Sequence, residues 1–89
     1  MNFIFPSDDT MNIYSESGTK IIYSFPENGS DWDIAKAEKY LEVNGIYTVL
    51  KTIVRSSSTE VYLEEVYGIA FNSVNFSDAQ NSPLPQIVD

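Results

Sequence analysis

Two adjacent segments with strong β character constrain the fold of this chain more than any other feature. Residues 46–55 are rich in β-branched side chains. Residues 59–66 alternate between apolar and polar side chains, which places Val61 and Leu63 on the same side of a strand. Consecutive serines separate the two segments and are typical of a turn. The sequence therefore predicts a β-hairpin formed by these two segments.

A single α-helix is predicted before the hairpin, at residues 31–41. Ser30 or Asp31 can cap its N-terminus, where the helix dipole favours an acidic side chain. The Asn44 and Gly45 pair is typical of the chain reversal that follows a helix. Apolar residues recur at helical spacing and predict one buried stripe, formed by Ile34, Ala37, Tyr40 and Leu41.

A further strand is predicted at residues 19–25, and residues 69–76 are predicted to form another strand or two short pieces, because both segments are rich in β-branched and aromatic side chains. The whole order predicts a mainly β (α+β) fold, with about five antiparallel strands that curl or close into a barrel to protect their edges. The helix lies in the connection after the first main strand. We expect an N-terminal arm at residues 1–17, the β domain at residues 18–76 and a flexible acidic and polar tail at residues 77–89.

The absence of certain residue types excludes most enzymatic chemistry. The chain has no histidine and no cysteine, so thiol nucleophiles, His-based triads and common zinc sites are excluded. The Asp31–Glu42 spacing resembles a calcium loop, but Lys36 stands where such a loop needs glycine. Glu64 and Glu65 are adjacent in a predicted strand and point to opposite faces. We therefore expect no enzyme, no cofactor and no metal site.

Charge limits the range of partners. The net charge of −8 repels nucleic-acid phosphates and anionic lipid headgroups, so we expect no direct binding to nucleic acid or membranes. All basic residues lie within residues 20–55, which leaves the acidic residues of 1–19 and 56–89 uncompensated. This pattern supports either plain solubility or an acidic face for a basic partner. No basic leader or long apolar segment is present, so we expect a cytoplasmic protein.

Two stretches of the sequence resemble known proteins. The entry into the predicted hairpin, at residues 41–49, is similar to the second strand of small SH3-like β-barrels, with Gly45 followed by Tyr47 and Val49. Residues 59–76 resemble a group of small, uncharacterised bacteriophage and prophage proteins. The resemblance implies an SH3-like antiparallel barrel and a phage origin, and it implies no catalytic residue.

Exposed aromatic residues beside carboxylates are the remaining functional candidates. Tyr and Trp side chains are enriched in the centres of protein interfaces. The first hypothesis is a phage protein-binding module that inhibits a host defence or nucleic-acid-binding protein, by placing an acidic, tyrosine-bearing face on its basic surface. The candidate partner-binding residues are Trp32, Glu60, Tyr62, Glu64, Glu65, Tyr67 and Asn72.

Two alternatives from other functional classes stay open. The first is a protein that binds or sequesters a small molecule, with a pocket between subunits or at the barrel mouth, to which Asn72 and Ser73 contribute polar groups. The second is a structural or assembly protein of the virion. A homodimer is compatible with each hypothesis.

Overall fold

The computed structural model describes residues 2–6 and 9–83, which form a single mainly β fold with one α-helix. All strand pairs are antiparallel, and the strand order in the sheet is β1-β6-β2-β3-β4-β5. The elements in chain order are β1 (Asn2–Pro6), β2 (Lys20–Tyr23), α1 (Asp31–Tyr40), β3 (Ile46–Val54), β4 (Thr59–Leu63), β5 (Ala70–Asn72), a 3₁₀ turn (Ser73–Asn75) and β6 (Phe76–Pro83).

The predicted hairpin is confirmed as β3 and β4. Its register runs from Val54 opposite Thr59 to Val49 opposite Leu63, with a bulge between Val49 and Lys51. β4 ends at Leu63, earlier than the predicted end of the strand, and the chain then bends. A bulge increases the local twist of a strand. This allows β3 to pair with β2 through its first residues and with β4 through the rest.

The mainly β class with one helix is confirmed, whereas closure into a barrel is not observed. Within the described residues, β1 and β5 lie at the two edges of the sheet, and no ladder joins them. The edge of β5 instead lies next to α1, which packs against this strand. A helix placed beside a strand edge is one of the ways in which proteins protect an open sheet.

Strands also occur in both segments that the sequence placed outside the β domain. β1 lies in the predicted arm and pairs with β6, and β6 covers the first part of the predicted tail. Residues 76–78 of β6 pair with Ile21, Ile22 and Tyr23 of β2. The polar sequence of β6 has weak strand propensity, but its backbone satisfies the otherwise unpaired edge of β2. Residues 84–89 of the predicted tail lie outside the described residues.

The helix begins and ends close to its predicted bounds. Ser30 caps its N-terminus, and Ser30 and Asp33 form a reciprocal capping box. Of the predicted apolar stripe, Ala37 and Leu41 are buried in the core, whereas Tyr40 is partly exposed. The helix therefore contacts the sheet through a narrow apolar strip, and the rest of its surface faces solvent.

The core lies between the inner face of the sheet and α1. Phe71 of β5 is at its centre, since its ring contacts Phe76 and Tyr40 edge-to-face with centroids 6.3 Å apart in both pairs. The buried apolar residues are Met11, Ile21, Ile22, Tyr23, Ala37, Leu41, Val49, Val61, Leu63, Phe71 and Phe76.

The loop that leads into α1 is held by the 3₁₀ turn. The buried Asn75 side-chain amide donates to the carbonyls of Phe25, at 2.8 Å, and Asn28, at 2.9 Å. In return, the Asn28 side-chain amide donates to the carbonyl of Val74 at 2.9 Å. These bonds determine where α1 begins relative to β5 and β6.

Candidate functional site

Glu60 and Tyr62 lie on the outer face of β4, as the alternating pattern predicts. Burial alternates along β4, with Val61 and Leu63 fully buried and Glu60 and Tyr62 half-buried. The Arg55 Nη2 atom lies 3.3 Å from Glu60 Oε1, and the Lys51 ammonium lies 4.9 Å from the centre of the Tyr62 ring. The outer face of β4 is therefore mixed in charge.

Glu64 and Tyr67 follow β4 in the connection to β5. The backbone N–H of Glu64 donates to the carbonyl of Thr48 at 2.9 Å, while its side chain is exposed. Tyr67 is 85% exposed and shares a turn with Gly68, whose φ of 83° favours glycine. We call Glu60, Tyr62, Glu64 and Tyr67 together the β4 surface.

The Glu65 carboxylate is bonded within the protein. It accepts hydrogen bonds from the backbone N–H and the hydroxyl of Thr48, at 2.8 and 2.7 Å. The same hydroxyl accepts from the Lys20 ammonium at 2.6 Å. Partial burial raises the pKa of Glu65, but the hydrogen bonds and the Lys20 charge outweigh this effect and hold the pKa below its usual value. Glu65 is thus engaged in linking the chain after β4 to β3.

Asn72 is likewise engaged by groups of the protein. Its side-chain amide donates to Asp33 Oδ2 of α1 at 3.1 Å, and its carbonyl oxygen accepts from the backbone N–H of Val74 at 3.1 Å. Partial burial raises the pKa of Asp33, but bonds from Ser30 and Asn72 outweigh it and lower the pKa. The neighbouring Ser73 is buried. Asn72 therefore joins the helix to the edge of the sheet.

Trp32 lies on α1 and not on the β4 surface. Its side chain is 77% exposed and borders a shallow groove between α1 and the β4–β5 connection. We call this the α1 groove, and the residues that line it are Trp32, Ala35, Lys36, Lys39, Tyr40 and Ile69. The charged groups in this lining are both lysines.

The predicted residues therefore lie in three environments. Four of them form the β4 surface, Glu65 and Asn72 are hydrogen-bonded within the protein, and Trp32 borders the α1 groove. The roles of Thr48 and Asp33, and the positions of Lys36 and Lys39 beside Trp32, were not predicted from the sequence. Ser30 followed by Asp33 matches a capping box, and the spacing of Trp32, Lys36 and Lys39 matches one helix face, so these two features were detectable. The bonds of Thr48 depend on the tertiary structure.

Neither a metal-binding cluster nor a membrane-spanning helix occurs in the described part of the chain. Among residues 2–6 and 9–83, no group of three or more acidic side chains is arranged to hold a metal ion. In the same residues, α1 is too short to cross a bilayer, and no other helix is long and apolar enough to do so.

The fold and these surfaces define a class: a small antiparallel β protein with one helix, an open sheet and exposed aromatic residues outside its core. The model of the family described as bacteriophage T4 protein Y07B matches residues 12–84, and the chain belongs to this family. The resemblance to small phage proteins is thereby confirmed. Comparison with curated proteins gave no match. Comparison with solved structures gave none either.

Proposed function

We propose that this phage protein is a protein-binding module that docks the β4 surface on a basic surface of a host protein. In this proposal it acts in the host cytoplasm as an inhibitor, and its target is a defence protein or a nucleic-acid-binding protein. An acidic surface can compete with nucleic-acid phosphates for the same basic groove.

The exposure of Tyr67 carries this proposal. A tyrosine ring buries a large apolar area when it packs, yet Tyr67 leaves 85% of its surface in solvent. It therefore contributes little to the core, while Tyr is among the residues that dominate binding energy at interfaces. The exposed side chain of Glu64 lies three residues earlier in the same connection and adds negative charge to it.

The charges of the β4 surface refine the first hypothesis. Glu60 shares its charge with Arg55 at 3.3 Å, so a basic partner would have to compete with this ion pair. Glu65 is bonded to Thr48 and is not part of the proposed contact. The side chain of Glu64 is exposed and, within the described residues, its carboxylate has no hydrogen bond like those of Glu65. We therefore place the electrostatic contribution chiefly on Glu64.

We also propose that β2–β6 form an SH3-like arrangement that is not closed. The order β6-β2-β3-β4-β5, with a 3₁₀ turn before the last strand, supports this. An SH3-like domain presents its variable loops at the ends of the strands, and loops held on a rigid sheet commonly carry binding residues. The β4–β5 connection, which bears Glu64 and Tyr67, is a loop of this kind.

A comparative pull-down from host lysate tests the proposal. The baits are the wild-type protein and a Glu64→Lys/Tyr67→Ser variant, with Glu16→Lys/Tyr14→Ser as the matched control. Tyr14 is also highly exposed, at 74%, and Glu16 is exposed. We expect a basic host protein that binds the wild type and the control, is lost from the variant, and elutes as salt rises. Equal recovery on all three baits would reject the β4 surface.

Two other measurements test the alternatives. Release of a bound small molecule from a stable oligomer would favour a sequestering protein, and co-purification with phage particles would favour a virion component. Asn72 and Ser73 contribute little to the first alternative within one chain, because Asn72 is bonded to Asp33 and Val74 and Ser73 is buried.

A further inference from the structure

The α1 groove differs in charge from the rest of the protein. The chain carries thirteen acidic and five basic residues. Two of those basic residues, Lys36 and Lys39, line this groove, and no carboxylate of residues 2–6 or 9–83 does. Among the described residues, the salt bridge is that of Arg55 with Glu60. Neither Lys36 nor Lys39 has a carboxylate of these residues within 4.0 Å. Two lysine side chains thus border an apolar depression in a strongly acidic protein.

This separation of charge follows from the helical register. Residues 32, 35, 36 and 39 share one side of α1, because they recur at intervals of three and four. Asp33 is not among the residues that line the groove, and its carboxylate accepts a hydrogen bond from the Asn72 amide at 3.1 Å. Lys36 lies close enough to Asp33 for its charge to help lower the pKa of that carboxyl, so its own charge is partly offset. Within the described residues, Lys36 and Lys39 are still the charged side chains of α1 that line the groove.

The walls of the groove are held in place by contacts with the sheet. The Tyr40 ring is 42% exposed, and it packs edge-to-face on the buried Phe71. Asp33 and Asn72 hold the N-terminal part of the helix to β5. The opposite wall is Ile69, which packs partly against the core. A site with fixed walls binds with a smaller entropic cost than a mobile one.

We propose that the α1 groove binds an acidic polypeptide segment of a partner protein, through a bulky apolar side chain flanked by carboxylates. The apolar side chain packs between Trp32, Tyr40 and Ile69. The flanking carboxylates pair with the ammonium groups of Lys36 and Lys39. This is a second interface, with a charge preference opposite to that of the β4 surface, and it goes beyond the proposed function.

A protein segment fits this groove better than a nucleic acid. The net charge of −8 repels a phosphate chain, which carries charge at every nucleotide along its length. A short segment with few carboxylates feels mainly the two nearby lysines, because salt screens charges beyond about 8 Å. The apolar lining also favours an aliphatic or aromatic side chain flanked by acidic residues.

The single tryptophan of the chain makes the groove directly observable. Since Trp32 is the only tryptophan, its fluorescence reports on this site alone. The probes are the peptides Glu-Glu-Phe-Glu-Glu, Lys-Lys-Phe-Lys-Lys and Glu-Glu-Ser-Glu-Glu, a thymidine oligonucleotide, and the protein itself at increasing concentration. We expect a saturable change in fluorescence with the acidic phenylalanine peptide, and none with the other probes.

Charge variants complete the test. Lys36→Glu/Lys39→Glu should weaken binding of the acidic phenylalanine peptide roughly tenfold, as the loss of two exposed ion pairs predicts. Lys51→Glu, which changes a lysine outside the groove, is the matched control and should bind as the wild type does. Circular dichroism verifies that α1 is retained.

Several results would overturn the proposal. These are no saturable response to the acidic phenylalanine peptide, equal binding by Lys36→Glu/Lys39→Glu, tighter binding of the oligonucleotide, or a response explained by self-association. The β4 surface variant Glu64→Lys/Tyr67→Ser should retain peptide binding. Failure of the β4 surface in the pull-down would therefore leave this inference standing, and the reverse also holds.

Discussion

The carboxylate of Glu65 accepts two hydrogen bonds from Thr48, one from the backbone N–H at 2.8 Å and one from the hydroxyl at 2.7 Å. Thr48 is almost fully buried, at 5% exposure, and lies in β3 where this strand pairs with β2. The pair therefore ties the chain that leaves β4 to the middle of the sheet. Its removal would leave a buried N–H without a partner, which is costly.

Glu65→Ala should destabilise the fold by about 1–2 kcal/mol, because the N–H and hydroxyl of Thr48 lose their acceptor. Urea unfolding followed by circular dichroism measures the change in the free energy of unfolding. The adjacent Glu64→Ala is the control and should stay within about 0.5 kcal/mol of the wild type, as exposed positions do. Equal effects at the two positions would show that the bonds to Thr48 are unimportant.

The stability should fall in acid in a way that Glu65→Gln reduces. The pKa of Glu65 is lower in the folded protein than in the unfolded chain, so the unfolded chain takes up the proton first as pH falls. The stabilisation is present above the ordinary glutamate pKa of about 4.3 and is lost as pH falls through the folded pKa. Asp33 acts in the same direction.

The measurement is the free energy of unfolding of the wild type and Glu65→Gln from neutral pH downward. We expect the curve of the variant to be flatter, because its side chain does not titrate. Parallel curves would contradict a lowered pKa at Glu65.

Asn72→Asp should destabilise the junction of α1 and β5. The substitution removes the amide that donates to Asp33 at 3.1 Å and places a second negative charge beside it. The expected loss is about 1–3 kcal/mol at neutral pH, and it should shrink in acid as the carboxylates become protonated. Asn44→Asp is the control, since Asn44 is exposed and has a φ of 70° that aspartate tolerates. A pH-independent loss at Asn72 would argue against repulsion by Asp33.

Replacing Tyr67 or Tyr40 should change the free energy of unfolding by different amounts. Tyr67→Ser should change the free energy of unfolding by less than about 0.5 kcal/mol, because the ring is 85% exposed. Tyr40→Ser should cost about 1–2 kcal/mol, because its ring packs edge-to-face on Phe71. Thermal unfolding of the two variants checks this difference. A large loss at Tyr67 would mean that it contributes to folding, and it would weaken the case for a binding role.

β4 and α1 could be predicted from the sequence, because the features that form them involve side chains close together in the chain. The alternation around Val61 and Leu63 predicted β4, and its pairing with β3 is confirmed. The Ser30 cap and the helix formers after it predicted α1 to within a residue at its C-terminal end. Each of these features depends on side chains a few positions apart, whose spacing is visible in the sequence.

The strand at the end of the described chain could not be predicted from its own residues. β6 contains Ser77, Asp78 and other polar residues that are typical of a loop. It becomes a strand because the edge of β2 offers backbone partners and because β1 pairs with its far end. β6 is therefore a strand because β1 and β2, which are distant in sequence, pair with it. The strand propensity of its own residues does not reveal such partners.

The candidate site divides in the same way. The sequence by itself determined the strand face shared by Glu60 and Tyr62 and the position of Trp32 near the start of α1, since each depends on local periodicity. Only the tertiary structure decided that Glu65 is bonded to Thr48 and that Asn72 holds Asp33. Long-range hydrogen bonds use up polar side chains that look available in the sequence, because a buried donor must find a partner wherever the fold places one.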